Sequence, residues 1–197
     1  MNKRIGLVLL AGAALLMSGC QKKLFHFVVP LNKVKTIAIN NTGEFAGYEK
    51  ITARDIRAAL DVPEDGTITG VDLESVQIRV RLVEGNVATW VKLSGFVLDQ
   101  GKPVQLFEDK SVPLSGVDTK YIGLNALIAK GVEKLAGKIN DHVKKVNDAD
   151  IEIGLTGNSD PAGQLIKVEI DFKINATVKY DQCVEVFDFI GGEDCTE

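Results

Sequence analysis

Histidine, cysteine and tryptophan are scarce in this chain, and the catalytic motifs built on them are missing. The two histidines among 197 residues, His26 and His142, have no serine, cysteine or carboxylate at a spacing that implies a triad. No G-x-S-x-G, H-E-x-x-H, P-loop or dinucleotide fingerprint is present, so the common hydrolase, zinc-protease and nucleotide chemistries leave no signature. The three cysteines lack C-x-x-C spacing and a neighbouring histidine, which argues against a zinc site. An EF-hand loop starting at Asp148 needs glycine at its sixth place and glutamate at its twelfth. Ile153 and Ser159 stand there, so Asp148, Asp150 and Glu152 read as solvated carboxylates. Charge of one sign is also lacking: 23 basic residues face 27 acidic ones, a mildly acidic balance that argues against nucleic acid as a partner. The expectation is a protein with no catalytic residue, no metal and no cofactor.

The N-terminus is more informative. Lys3 and Arg4 precede an apolar run from Ile5 to Met17, followed by Ser18-Gly19-Cys20. A basic n-region, a short apolar h-region and small residues describe a secretory signal peptide, and the run is shorter than the roughly 20 residues a spanning helix needs. Leu16-Met17-Ser18-Gly19-Cys20 resembles the lipobox of bacterial lipoproteins. That resemblance covers the first 20 residues and implies cleavage after Gly19 and lipidation of Cys20 with acyl chains such as palmitate. Gln21 follows where many inner-membrane lipoproteins of Gram-negative bacteria carry aspartate, so the resemblance implies a lipid anchor in the outer membrane, facing the periplasm. At about 0.8 kcal/mol per buried CH₂, several acyl chains hold a protein effectively permanently where one is marginal.

Residues 1–19 carry two basic residues and no acidic one, so cleavage leaves 21 basic against 27 acidic residues over 178 positions. The expected organisation is a cleaved signal peptide at 1–19, a lipidated cysteine and tether at 20–30, and one globular domain at 31–197. Leu24–Val29 is unusually apolar for a tether and reads either as a first strand or as an extended segment lying on the domain. Cys183 and Cys195 form a candidate disulfide, permitted in an oxidising compartment.

Period-2 alternation dominates the rest. From Ile166 to Tyr180 every even position is apolar and every odd one polar, which places one face of a long strand in a core. Glu74–Leu82 alternates and returns through Glu84-Gly85-Asn86 to Val87–Leu98, an expected antiparallel hairpin. Asp150–Thr156 and the long strand form a second expected hairpin. Thr52 with Asp55 gives a capping-box variant, with Ile51 and Ile56 as a hydrophobic staple, so a short helix is expected over about 52–60. From Tyr121 to Val146 apolar residues step by three and four, which predicts a long amphipathic helix over about 119–146. Its polar face carries Lys130, Lys134, Lys138, Lys144 and Lys145. Gly123, Gly131 and Gly137 weaken it, and two of them are expected to allow close contact with a sheet. The fold class expected is α+β, mainly antiparallel β: a sandwich-like sheet with one long and one short helix.

These features predict a membrane-anchored lipoprotein acting as a non-catalytic binding or envelope-assembly module, with another envelope protein as partner. The alternative is a periplasmic carrier of a lipid or other apolar ligand held between helix and sheet.

Overall fold

The computed structural model describes residues 21–114, 120–124, 126–186 and 191–195. Residues 1–19, expected as a signal peptide, and Cys20, expected to carry the lipid, lie outside these residues. The elements in chain order are β1 (Gln21–Thr42), β2 (Glu44–Ile51), α1 (Ala53–Ala58), β3 (Thr67–Leu82), β4 (Trp90–Asp99), β5 (Lys102–Pro113), β6 (Ile122–Gly123), α2 (Ala129–Val143), β7 (Ile151–Asp160), β8 (Leu165–Val186) and β9 (Glu193–Asp194). The strands form two sheets, ordered β6-β3-β8-β1-β9 and β2-β7-β4-β5, with antiparallel registers throughout the second. The chain resolves into two compact units. Among the described residues, one comprises those up to Val28 with Val62–Thr69 and those from Lys179 onward, and the other comprises Val29–Asp61 with those of Gly70–Val178.

The long strand follows its alternation. Ile166, Val168, Ile170, Phe172, Ile174, Ala176, Val178 and Tyr180 are all buried, and β8 extends beyond them at both ends. Within the larger unit, Leu31, Ile37, Val76, Ile78 and Val80 of the first sheet and Val91, Leu93, Ile151, Ile153 and Leu155 of the second complete the apolar core. Gly47 of β2 lies against Ile37 and Ile39 of β1, where a Cβ would come within 2.3 Å of Ile37 Cγ2. The segment expected as a tether, Gln21–Pro30, is strand from its first residue.

Both expected hairpins are absent, for a shared reason. β3 joins the first sheet and β4 the second, as do β8 and β7 respectively. The 83–88 link crosses between sheets because its backbone bonds are taken by the start of β8. Val83 N donates to Lys167 O, Val87 and Ala88 N donate to Leu165 O, and Asn86 Oδ1 accepts from Lys167 N. The tight hairpin is instead β4–β5, turned by Gln100 and Gly101, which both have positive φ (51° and 77°), as a two-residue turn between twisted strands requires.

The long helix is also corrected: α2 has 15 residues, not the 119–146 span expected. Ile122–Gly123 pairs with Gln77 and Ile78 of β3, and Leu124 N donates to Val76 O, so strand bonding takes the backbone that a first helical turn would need. At the other end Lys145 adopts a left-handed conformation (φ 57°) and Val146 is exposed, so the apolar period overran the helix. Helix α1 forms with both halves of its capping box: Thr52 Oγ1 accepts from Asp55 N at 3.0 Å and Asp55 Oδ2 accepts from Thr52 N at 3.2 Å. Ile51 and Ile56 are buried beside it. Lys33 and Lys35 both reach Asp55 at 2.9 Å, and their hydrogen bonds hold its carboxyl well below the usual range. A Thr52→Ala variant should lose about 1 kcal/mol of unfolding free energy in a urea titration; a loss under a few tenths would mean that the Asp55–lysine pairs hold the turn without the cap.

Candidate ligand-binding groove

The sheet β2-β7-β4-β5 carries an open groove on one of its faces. Its register sets Tyr48 of β2 and Phe96 of β4 on either side of Gly154 of β7. Side chains alternate along each strand, so the two rings project from the face opposite Ile151, Ile153 and Leu155, over the bare backbone of Gly154. The two rings meet edge to face, with centroids 5.6 Å apart and planes at 69°, the arrangement that aromatic quadrupoles favour. A Cβ on residue 154 would stand 2.4 Å from Phe96 Cζ and 3.1 Å from Tyr48 Cδ1, so glycine is what admits the ring pair. Phe96 is buried, whereas Tyr48 keeps 58% of its surface exposed. The pair borders an open groove of about 790 Å³ that Leu98, Pro103, Gln105 and Thr156 also line. At one end Lys50 bonds Glu152 at 3.1 Å, which raises the lysine pKa. The surface is thus an aromatic shelf with a polar rim, the usual make-up of a binding site.

A second groove, about 770 Å³, runs along the polar face of α2. Two of the three lysines that line it are paired. Lys134 and Lys138 reach Asp99 at 2.8 and 3.6 Å, and the Lys134 hydrogen bond leads the effects that lower the Asp99 pKa. His142 is buried. Its Nδ1 lies 2.7 Å from Lys138 O, and its Nε2 has no hydrogen-bond partner among the described residues. Arg57 of α1 ties the end of α2 in place, donating to His142 O at 3.3 Å and to Asp148 at 2.7 Å. That hydrogen bond lowers the Asp148 pKa, so Asp148 belongs to an ion pair.

The strongest electrostatic feature lies on β8. Asp171, assigned by its odd position to the wetted face, is only 1% exposed. Arg79 donates to its Oδ2 at 2.8 and 2.5 Å, Arg81 to its Oδ1 at 2.9 Å, and Thr36 Oγ1 to Oδ1 at 2.7 Å. Arg81 also reaches Glu169 at 2.6 Å, and the Arg79 guanidinium lies 4.7 Å from the Tyr121 ring centroid. Burial is the largest single influence on this carboxyl and would raise its pKa. The hydrogen bonds from Arg81, Thr36 and Arg79 together outweigh it and bring the value down to about 2. A carboxylate so stabilised stays ionised at neutral pH and is a poor proton acceptor, so the cluster suits structure rather than acid–base catalysis.

Among the sequence-derived candidates, Cys183 and Cys195 are joined, with Cα atoms 6.1 Å apart. His26 pairs with Asp181 at 2.6 Å, and that hydrogen bond raises the histidine pKa. No group of three or more His, Cys, Asp or Glu side chains among the described residues could hold a metal, and no described helix is long and apolar enough to cross a membrane. The aromatic shelf was missed because its three residues lie far apart in the chain. The available signal was Gly154, a glycine inside an alternating strand, which marks close approach by a neighbour.

No family model matches the chain, and no curated protein matches it. Among solved structures it is similar to the BFDV capsid protein in a decameric form, at 12% identity and a TM-score of 0.39, over 78% of this chain and 99% of that one. It is also similar to the 60-mer form, at 10% identity and a TM-score of 0.32, over 86% and 98% of the respective chains. Likenesses this remote carry no functional argument.

Proposed function

We propose that this chain is a lipid-anchored, non-catalytic binding module of a bacterial envelope, with a sandwich-like body that engages its ligand at the Tyr48–Phe96 groove. The observation that carries the binding reading is the half-exposed Tyr48 ring, held edge-on to Phe96 above a glycine that keeps the space open. Large, rigid aromatic surface at a groove mouth is what hot spots are made of. The anchor rests on the resemblance of Leu16–Cys20 to a lipobox, and the periplasm-facing outer-membrane address on Gln21 standing where many inner-membrane lipoproteins carry aspartate. The ligand is an envelope component, with another envelope protein as the partner of choice. The carrier reading has less support: Gly131 of α2 lies directly on the β5 backbone, and the groove beside that helix is lined by charge.

Two measurements test the reading separately. Globomycin should leave the precursor uncleaved, and normal processing under the drug would remove the anchor. A photo-reactive phenylalanine in place of Tyr48 should give a discrete cross-linked adduct in intact cells, while the same group at the exposed Val87 gives none. Equal labelling at both positions, or none at 48, would sink the groove as the ligand face.

A further inference from the structure

The smaller unit contains a strap. In the sheet order β8-β1-β9 the first strand lies between the other two. The disulfide joins Cys183 of β8 to Cys195, one residue past β9, so the covalent link connects the two neighbours of β1. β9 pairs with β1 at only two positions, Lys23 with Asp194 and Leu24 with Glu193. Cys195 N donates to Lys22 O at 3.3 Å, and Lys23 Nζ reaches Asp194 Oδ1 at 2.5 Å. A two-residue strand holds poorly on its own, but the disulfide closes the 12-residue loop from Cys183 to Cys195, which removes most of the freedom β9 has to leave β1. On the β8 side, His26 bonds Asp181, and Phe27 stacks on Tyr180 with centroids 5.2 Å apart.

We infer that the Cys183–Cys195 strap, with Glu193 and Asp194, locks residues 21–28 into the sheet, so that the anchor has no slack and this unit sits on the lipid headgroup surface. The inference rests on lipidation of Cys20, the residue immediately before β1. Released from the sheet, residues 21–28 could extend about 26–29 Å and would let the unit leave the bilayer. A dithiol opens the strap by a balanced exchange: the S–S bond takes up two electrons and two protons to give two cysteine thiols, and the dithiol is oxidised to its own disulfide.

The test uses the full mature protein in nanodiscs that contain a gadolinium-chelating lipid. Intact mass reports the lipid on Cys20. Amide exchange is then compared for the untreated protein, the dithiothreitol-reduced protein and a Cys183→Ser/Cys195→Ser variant. Opening the strap should accelerate exchange at residues 22–24 by about tenfold or more while residues 166–178 stay protected, and amides 193–194 should be broadened by the gadolinium lipid only when the strap is closed. Equal exchange at 22–24 with the strap closed and reduced overturns the lock, whether or not the serine variant folds. Lipidated protein with unbroadened amides 193–194 overturns the bilayer contact. An unmodified Cys20 overturns the anchoring reading and that contact together, leaving exchange to judge the lock alone.

Discussion

Asp171→Asn should cost about 2–3 kcal/mol of stability at neutral pH, with the loss shrinking as the solution is acidified. Asparagine keeps the shape of the side chain and removes its charge, leaving Arg79 and Arg81 without their shared counter-ion. The carboxyl is brought from its ordinary 3.8 to about 2 in the folded chain. The folded pKa lies below the unfolded one, so the ionised form contributes stability that is fully present above about pH 4–5. That contribution is lost as pH falls through the folded value near 2. Urea titrations of both proteins at pH 7 and pH 2.5 measure the effect. The gap between them should be wide at pH 7 and mostly closed at pH 2.5. An equal gap at both values would mean that Asp171 contributes packing and hydrogen bonds but no charge-specific stability.

Two glycines on one helix should respond to alanine with opposite signs. Gly131 sits in the first turn of α2, against β5. A Cβ there would stand 2.1 Å from Gln105 O and 3.1 Å from Leu106 Cα, both backbone atoms that cannot swing aside. Helix propensity favours alanine by about 1 kcal/mol, whereas forcing helix and strand apart costs about 1–3 kcal/mol and more when backbone must move. Overpacking wins, and Gly131→Ala should destabilise by about 2 kcal/mol net. A Cβ on Gly137 meets nothing within 4 Å, so Gly137→Ala should gain about 0.5–1 kcal/mol. Thermal unfolding of the two variants decides between these terms. A stabilised Gly131→Ala would show that α2 can slide on β5 without loss.

The parts of this fold legible in the sequence are those set by neighbours in the chain. The buried face of β8 was readable because eight apolar residues recur at period two, and α1 because Thr52 and Asp55 are three apart. Strand pairing was not readable in the same way. Alternation says that one face of Glu74–Leu82 is buried, but it does not say which sheet receives the strand, and bonds to Lys167 and Leu165 more than 75 residues away settle that. The overlong helix has a related cause: Tyr121 and Leu124 stand at helical spacing, yet β3 claims the backbone around Ile122. Alternation places Asp171 on the wetted face, because it treats polar as exposed. Its burial depends on Arg79 and Arg81, some 90 residues earlier. The aromatic shelf likewise exists only once β2, β7 and β4 lie side by side.

The outer strands of the four-stranded sheet have a consequence for behaviour in a crowded compartment. A bare sheet margin recruits other chains into continuous ladders. At β5 the approach is blocked by the protein itself, since Ile128 N donates to Leu106 O at 2.8 Å and Gly131 presses on Gln105. At β2 the margin is eight residues long and carries Glu44, Glu49 and Lys50, charges that a second β2 strand would have to desolvate. Copies at high local concentration can therefore stay dispersed rather than zip together through this sheet.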